Sequence, residues 1–268
     1  MTTQARKAPP DSRTGSWWPS KYGPDDQAGA LNEITPGKVL EAVRLVRQGR
    51  AYDLAHVLHQ DIPAFPGRTF QQCLTTSDHL SSQRDPDAGH GRNKVNWVVE
   101  RITATQQMGT HMDGLNHLWV GDRSYNGFRL ADIVEDYGTN RLGIDTLPQV
   151  LTRGLLLDVA AARGAARLGP GDVITVTDAE QALAQWLADH RVALTGCDTW
   201  SFGPYPPESH CEPFVVPQTL NVRHGVVVVE NLRLAEIASA GVHEFLLVIS
   251  HAKLRGATGA WIAPLAIV

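Results

Sequence analysis

Apolar positions recur along the chain at two periods. Val39, Val43 and Val46 fall at helical spacing behind Thr35, whose hydroxyl can cap a helix, and Pro36 sits at the first helical position, where a missing N–H costs nothing. This predicts a helix from Pro36 that Gly49 stops. Thr177 and Glu180 form a capping box ahead of Leu183, Trp186 and Leu187, predicting a second helix. Shorter helices are predicted near Leu130, before Val134, and over 234–240. Six runs rich in β-branched and aliphatic residues read as strands: 95–105, 154–159, 173–176, 226–229, 245–249 and 261–268. Several are apolar on both faces, as central strands are. Strands and helices intermix without strict alternation, which predicts a mixed α/β fold rather than a repeating βαβ barrel.

Two stretches break these patterns and are predicted as long loops of the kind that form lids or binding walls. One is 78–93, with Arg84, Asp85, Asp87 and Gly91. The other is 199–217, with five prolines. Residues 1–16 are polar, hold Pro9 and Pro10, and lack the apolar segment of a secretory signal. They are expected to form a flexible arm, with 17–268 as one domain. A chain of 268 residues, 43% hydrophobic, can bury a core of that size.

Charge and cysteine narrow the function classes. Twenty-four basic residues against 28 acidic ones give a net charge of -4, which offers no general attraction to nucleic acid or anionic membrane. No stretch approaches the roughly 18 apolar residues of a membrane span. The three cysteines, Cys73, Cys197 and Cys211, are widely spaced with no CxxC pair. Neither a disulfide framework nor a zinc knuckle is expected, and a cytoplasmic setting fits.

The chemistry concentrates in 107–117, Gln-Met-Gly-Thr-His-Met-Asp-Gly-Leu-Asn-His. If this stretch begins as a strand, Gln107, Gly109, His111 and Asp113 share a face, and Gly109 leaves room between the others. An imidazole and a carboxylate two residues apart can grip one divalent cation. Gly114 permits a turn that brings His117 back over it. A metal so held polarises a carbonyl and lowers the pKa of its water towards ~7, and an unliganded histidine can move the proton. His111 and Asp113 are thus candidate ligands and His117 a candidate acid/base. The other reading is a polar turn in which Asp113 accepts backbone hydrogen bonds.

Gly109-Thr110-His111-x-Asp113, with His117 in place, resembles the HxGTHxDxPxH signature of the cyclase family, the kynurenine formamidase and isatin hydrolase superfamily. The run 22–32 resembles that family's N-terminal WGxDDxxGxxN. Tyr125-Asn126-Gly127, the run 153–158, Val229-Glu230-Asn231-Leu232 and Gly256-Ala257-Thr258-Gly259 follow in order, so the likeness spans about 17–268. It implies a swivelling β/β/α domain of mixed sheet, a homodimer or homotetramer, and a small-molecule substrate. Two departures stand out. Gln107 replaces the first signature histidine, and Leu115 the proline. The resemblance makes Gln107 a third ligand and places the chain near the branch that includes trans-dienelactone hydrolase. One divalent metal is expected, zinc before manganese.

In two-metal relatives a later histidine and glutamate complete the centre. Glu230 matches the glutamate; it could ligate, orient a ligand, or simply end a strand. No histidine falls at the other place, where Gln218 is a substitute ligand. Trp17, Trp18 and Phe65 are candidates for the pocket wall, with packing of the arm as the alternative for the tryptophans. His56, His59, His224 and His251 read as structural, and His210 with Cys211 is a poor zinc pair. The expected activity is opening of a lactone or amide bond by hydroxide generated at the metal. A polyketide-type cyclase or dehydratase on the same scaffold and a catalytically silent metabolite-binding protein are the rivals.

Overall fold

A computed structural model describes residues 16–75, 89, 91–95, 97–169, 171, 172, 174, 187, 189–203 and 213–268. All but Ser16 of the expected arm, most of the loop 78–93, the middle of the loop 199–217, nearly all of the strand 173–176, the helix after Thr177 apart from Leu187, and His210 with Cys211 lie outside them. Twelve strands are described: β1 Ala51–Asp53, β2 Phe70–Leu74, β3 Glu100–Ala104, β4 His111–Asp113, β5 Val134–Glu135, β6 Gly138–Thr139, β7 Val150–Leu155, β8 Leu194–Gly196, β9 Val227–Glu230, β10 Glu244–Ile249, β11 Gly259–Trp261 and β12 Leu265–Ile267. One four-stranded sheet runs β1-β12-β10-β7 and is antiparallel throughout. The other runs β11-β4-β9-β8, with β8 parallel to β9 and the remaining pairs antiparallel. The fold is mixed α/β, as the irregular alternation of elements predicts. Among the described residues no helix is long and apolar enough to cross a membrane.

The main core lies between these sheets. Met112, Val227, Val229 and Ala260 turn one face of the second sheet inward, where they meet Val150 and Ile249 of the first, with Leu115, Leu142, Ile144 and Leu147 filling the gap. Alternation along β4 therefore sends Met112 into the core and leaves His111 and Asp113 on the other face.

Local chemistry moved several element boundaries. Thr35 does cap helix α1 (Pro36–Val43), accepting from the Lys38 N–H. The helix ends at Val43 rather than Gly49, because the N–H groups of Leu45 and Val46 reach back only three residues and tighten the chain into turns. The run 154–159 is not one strand. It opens as the end of β7, and Asp158 then caps the short helix α2 (Val159–Ala162). The run 261–268 divides into β11 and β12, which belong to different sheets; Pro264, with no N–H to donate, lies at the break. Of 95–105, the ladder with β2 covers only Glu100–Ala104.

The N-terminal run and Tyr125-Asn126-Gly127 clasp one another. The Asn126 side-chain amide donates to the carbonyls of Gly23, Pro24 and Asp26. The Tyr125 hydroxyl donates to Asp26, whose carboxylate also takes the Gly29 N–H. Gly29 has φ +57, and a Cβ there would stand 2.2 Å from the Gly225 carbonyl oxygen, so this approach admits no side chain. Both runs thus anchor the segment preceding α1 to the body.

Candidate metal centre

The second sheet assembles the site by register. In β4, His111 pairs with Glu230 of β9 on one side and with Trp261 of β11 on the other, while Asp113 pairs with Gly259. Residues directly opposite across a ladder share a face, so His111, Asp113 and Glu230 converge although 119 positions separate the first from the last. Each offers a donor atom within 4.8 Å of the others, and all three residues are buried. His111 Nε2 lies 3.4 Å from a Glu230 oxygen and 3.6 Å from Asp113 Oδ1.

Surrounding bonds fix how these groups face one another. The His111 Nδ1–H donates to the Gly109 carbonyl at 2.8 Å, which leaves Nε2 turned toward the carboxylates. That carbonyl also takes the Asn231 amide, and Glu230 Oε1 takes the Phe202 N–H at 2.8 Å. Thr110 braces the same corner: its hydroxyl donates to the Asn231 carbonyl and accepts the His56 N–H. Burial pushes the His111 imidazole down, but Glu230 and Asp113 outweigh it and hold its pKa above the ordinary value. His111 Nε2 and Asp113 Oδ1 are nevertheless buried with no hydrogen-bond partner. Cys197 lies nearby as a protonated thiol. Burial pushes it up to about 12, and the Glu230 charge adds to that against a hydrogen bond from Thr199.

The remaining sequence candidates divide. The segment before β4 is not a strand. Residues 106–110 are a bend, Gly109 has φ +54, and its open side is filled by Leu58 and Ile62 rather than by ligands. Gln107 is therefore not placed by strand alternation. Its side-chain Nε2 donates to Thr258 Oγ1 at 2.9 Å and lies 3.4 Å from His117 Nδ1, while its main-chain carbonyl accepts from Arg68. The His117 N–H closes a backbone turn onto the Gly114 carbonyl. Gln218 spends its amide on the Pro213 carbonyl. Phe65 packs against Trp200 and Phe214, with the Arg68 guanidinium 5.2 Å from its ring centre.

Trp17 goes elsewhere. It lines a cavity of about 260 Å³ with Tyr22, Tyr125, Arg191, Arg223 and His224. Val226, just before β9, also lines it, whereas Glu230 ends that strand, about 13 Å further along at strand rise. Trp18 covers Gly127 and stacks under Arg123. His251 is structural, its ring donating to the Ile144 carbonyl. Asn231 and Thr258 escaped notice as site residues. Both lie in runs already picked out for resemblance, and a polar side chain directly after Glu230, or directly before the glycine facing Asp113, was the available signal.

The cyclase family model matches residues 52–185, half of the sequence. The chain belongs to the cyclase family. A solved structure described as a novel cyclase superposes with TM-score 0.79 at 26% identity, covering 92% of this chain and 98% of that one. Isatin hydrolase A from Ralstonia solanacearum gives TM-score 0.56 at 16% identity over 81% of this chain and 91% of its own. Isatin hydrolase A from Labrenzia aggregata, bound to benzyl benzoate, gives 0.53 at 16% over 89% and 99%. At that identity the likeness to the isatin hydrolases is one of fold. A search of curated proteins found no match. The mixed sheets are thus the family's fold, and the second sheet carries a His-Asp-Glu group able to hold a metal.

Proposed function

We propose that this cyclase-family chain is a metal-dependent hydrolase that opens a lactone or amide bond. The observation that carries the reading is the pair of buried, unpartnered atoms His111 Nε2 and Asp113 Oδ1 beside Glu230. A histidine lone pair and two carboxylates aimed at one point repel unless a cation lies between them, and an unmet buried polar atom costs about 1–3 kcal/mol. One nitrogen and two carboxylate donors suit zinc, with manganese second. A divalent ion held there would supply Lewis acidity and a water of lowered pKa.

The chain's own residues supply the rest. Gly109 and Asn231 orient His111, and Phe202 and Thr110 hold the Glu230 corner. His117 serves the leaving oxygen or nitrogen. Phe65, Trp200 and Phe214 offer an aromatic wall for the apolar part of a small substrate. The fold shared with isatin hydrolases supports hydrolysis as the reaction class.

The test is metal analysis joined to a turnover screen over lactones, aryl formamides and cyclic imides, beside an EDTA-treated control. His111→Ala should lose the metal. His117→Ala should keep it and lose turnover by about 10²–10⁴-fold. Metal-free protein with full activity, unchanged metal content in His111→Ala, or a ring-closed product formed without consuming water would each sink the reading.

A further inference from the structure

Gln107 is buried. Its main-chain carbonyl accepts from the Arg68 guanidinium at 2.6 Å, and its side-chain amide nitrogen donates to Thr258 Oγ1 at 2.9 Å. The amide has room because position 259 carries no side chain; a Cβ there would stand 2.8 Å from Gln107 Nε2. The same nitrogen lies 3.4 Å from His117 Nδ1. An amide nitrogen can only donate, so the imidazole nitrogen facing it must present a lone pair, and the ring proton of neutral His117 then belongs on Nε2.

We infer that Gln107 is a positioning residue that sets the tautomer of His117, so that a neutral imidazole presents Nε2–H to the substrate. His117 thereby acts as a hydrogen-bond donor to the leaving heteroatom as charge grows there. The consequence for catalysis rests on the hydrolase reading; the tautomer does not. Thr258 and Gly259 belong to the device, the first as anchor of the amide and the second as the gap that admits it.

The experiment is ¹⁵N NMR of zinc-loaded protein labelled at histidine nitrogen, with His117 assigned by loss of its signals in His117→Asn. Wild type should show a pyridine-type Nδ1 and a pyrrole-type Nε2 at His117. Gln107→Ala should give a tautomer mixture with zinc content unchanged and, on any substrate found, kcat lower by about 10–100-fold at similar KM. Gln107→Glu should invert the tautomer, since a carboxylate accepts from Nδ1–H. Thr258→Val should shift it part of the way and serves if the Gln107 variants do not fold. An Nδ1–H signal in wild type, an unaltered tautomer in Gln107→Ala, or loss of zinc from that variant would overturn the inference. If the tautomer follows Gln107 and no substrate is turned over, the hydrolase reading fails while this one stands.

Discussion

Glu33 offers a perturbation whose size can be worked from geometry. Its carboxylate is buried, and one oxygen accepts from Lys21 at 3.1 Å and from the Tyr22 hydroxyl at 2.6 Å. The other takes Nε and Nη2 of Arg191 at 2.8 and 2.5 Å, a two-pronged contact that ties the segment preceding α1 to the segment entering β8. Burial alone pushes the carboxyl up, but Arg191, Tyr22 and Lys21 outweigh it and hold Glu33 at about 2 against an ordinary 4.5. A fall of that size corresponds at full value to roughly 3 kcal/mol. Arg191 and Lys21 are themselves 66% and 57% exposed, so water screens the pairing and about 1–2 kcal/mol is the realistic share. Because the folded-state pKa is depressed, this stability is present above pH 4.5 and drains away as pH falls toward 2. Glu33→Gln should therefore lower the unfolding free energy at pH 7 by about 1–2 kcal/mol and flatten its decline between pH 4.5 and 2. Urea titrations of both proteins across that window measure it. A variant of equal stability at pH 7, or one with the same acid slope as wild type, would refute the reasoning.

Three further outcomes are expected. Gly29→Ala sets a Cβ against the backbone of Gly225 at a positive φ, with no flexible side chain to yield, and should cost about 2–4 kcal/mol in urea unfolding; a loss under 1 kcal/mol would contradict the close approach. Gly259→Ala sets a Cβ 2.8 Å from the far end of the Gln107 side chain and 3.0 Å from the Met112 carbonyl. It should fold, keep its zinc and lose turnover, and retained turnover would separate Gln107 from the chemistry. Zinc at a hundredfold excess over its dissociation constant should stabilise wild type by about 2.7 kcal/mol, and Asp113→Asn should shrink that gain at equal zinc; an unchanged gain in the variant would remove Asp113 from the ligand set.

What the sequence disclosed of the fold follows the range of the forces involved. Thr35 and Pro36 act within one helical turn, so the start of α1 was legible; its end was not, since valines at 39, 43 and 46 read as helical whether or not the backbone tightens after Val43. Leu40 and Val43 are in fact 60% and 47% exposed, so the periodicity overstated the buried face. The runs 226–229 and 245–249 were found as strands because they are apolar on any register. Their neighbours were not, because pairing β9 with β4 and with β8 is a contact between segments tens of residues apart.

The site divides along the same line. His111 and Asp113 are two apart on one strand, so their shared face follows from the pleat alone. Glu230 joins them only through the β4-β9 register, which no local pattern encodes, so the sequence alone leaves it open as ligand, orienting group or strand end. Gln107 is the sharper case. Strand alternation would carry it onto the ligand face, yet Gly109 at φ +54 breaks the alternation, and the amide turns to Thr258 and His117 instead. A glycine read as empty space between ligands is a bend whose open side is filled by Leu58 and Ile62. Whether Gln107 serves a metal or an imidazole is a question of chemistry rather than of pattern, and zinc content in Gln107→Ala is where the two part.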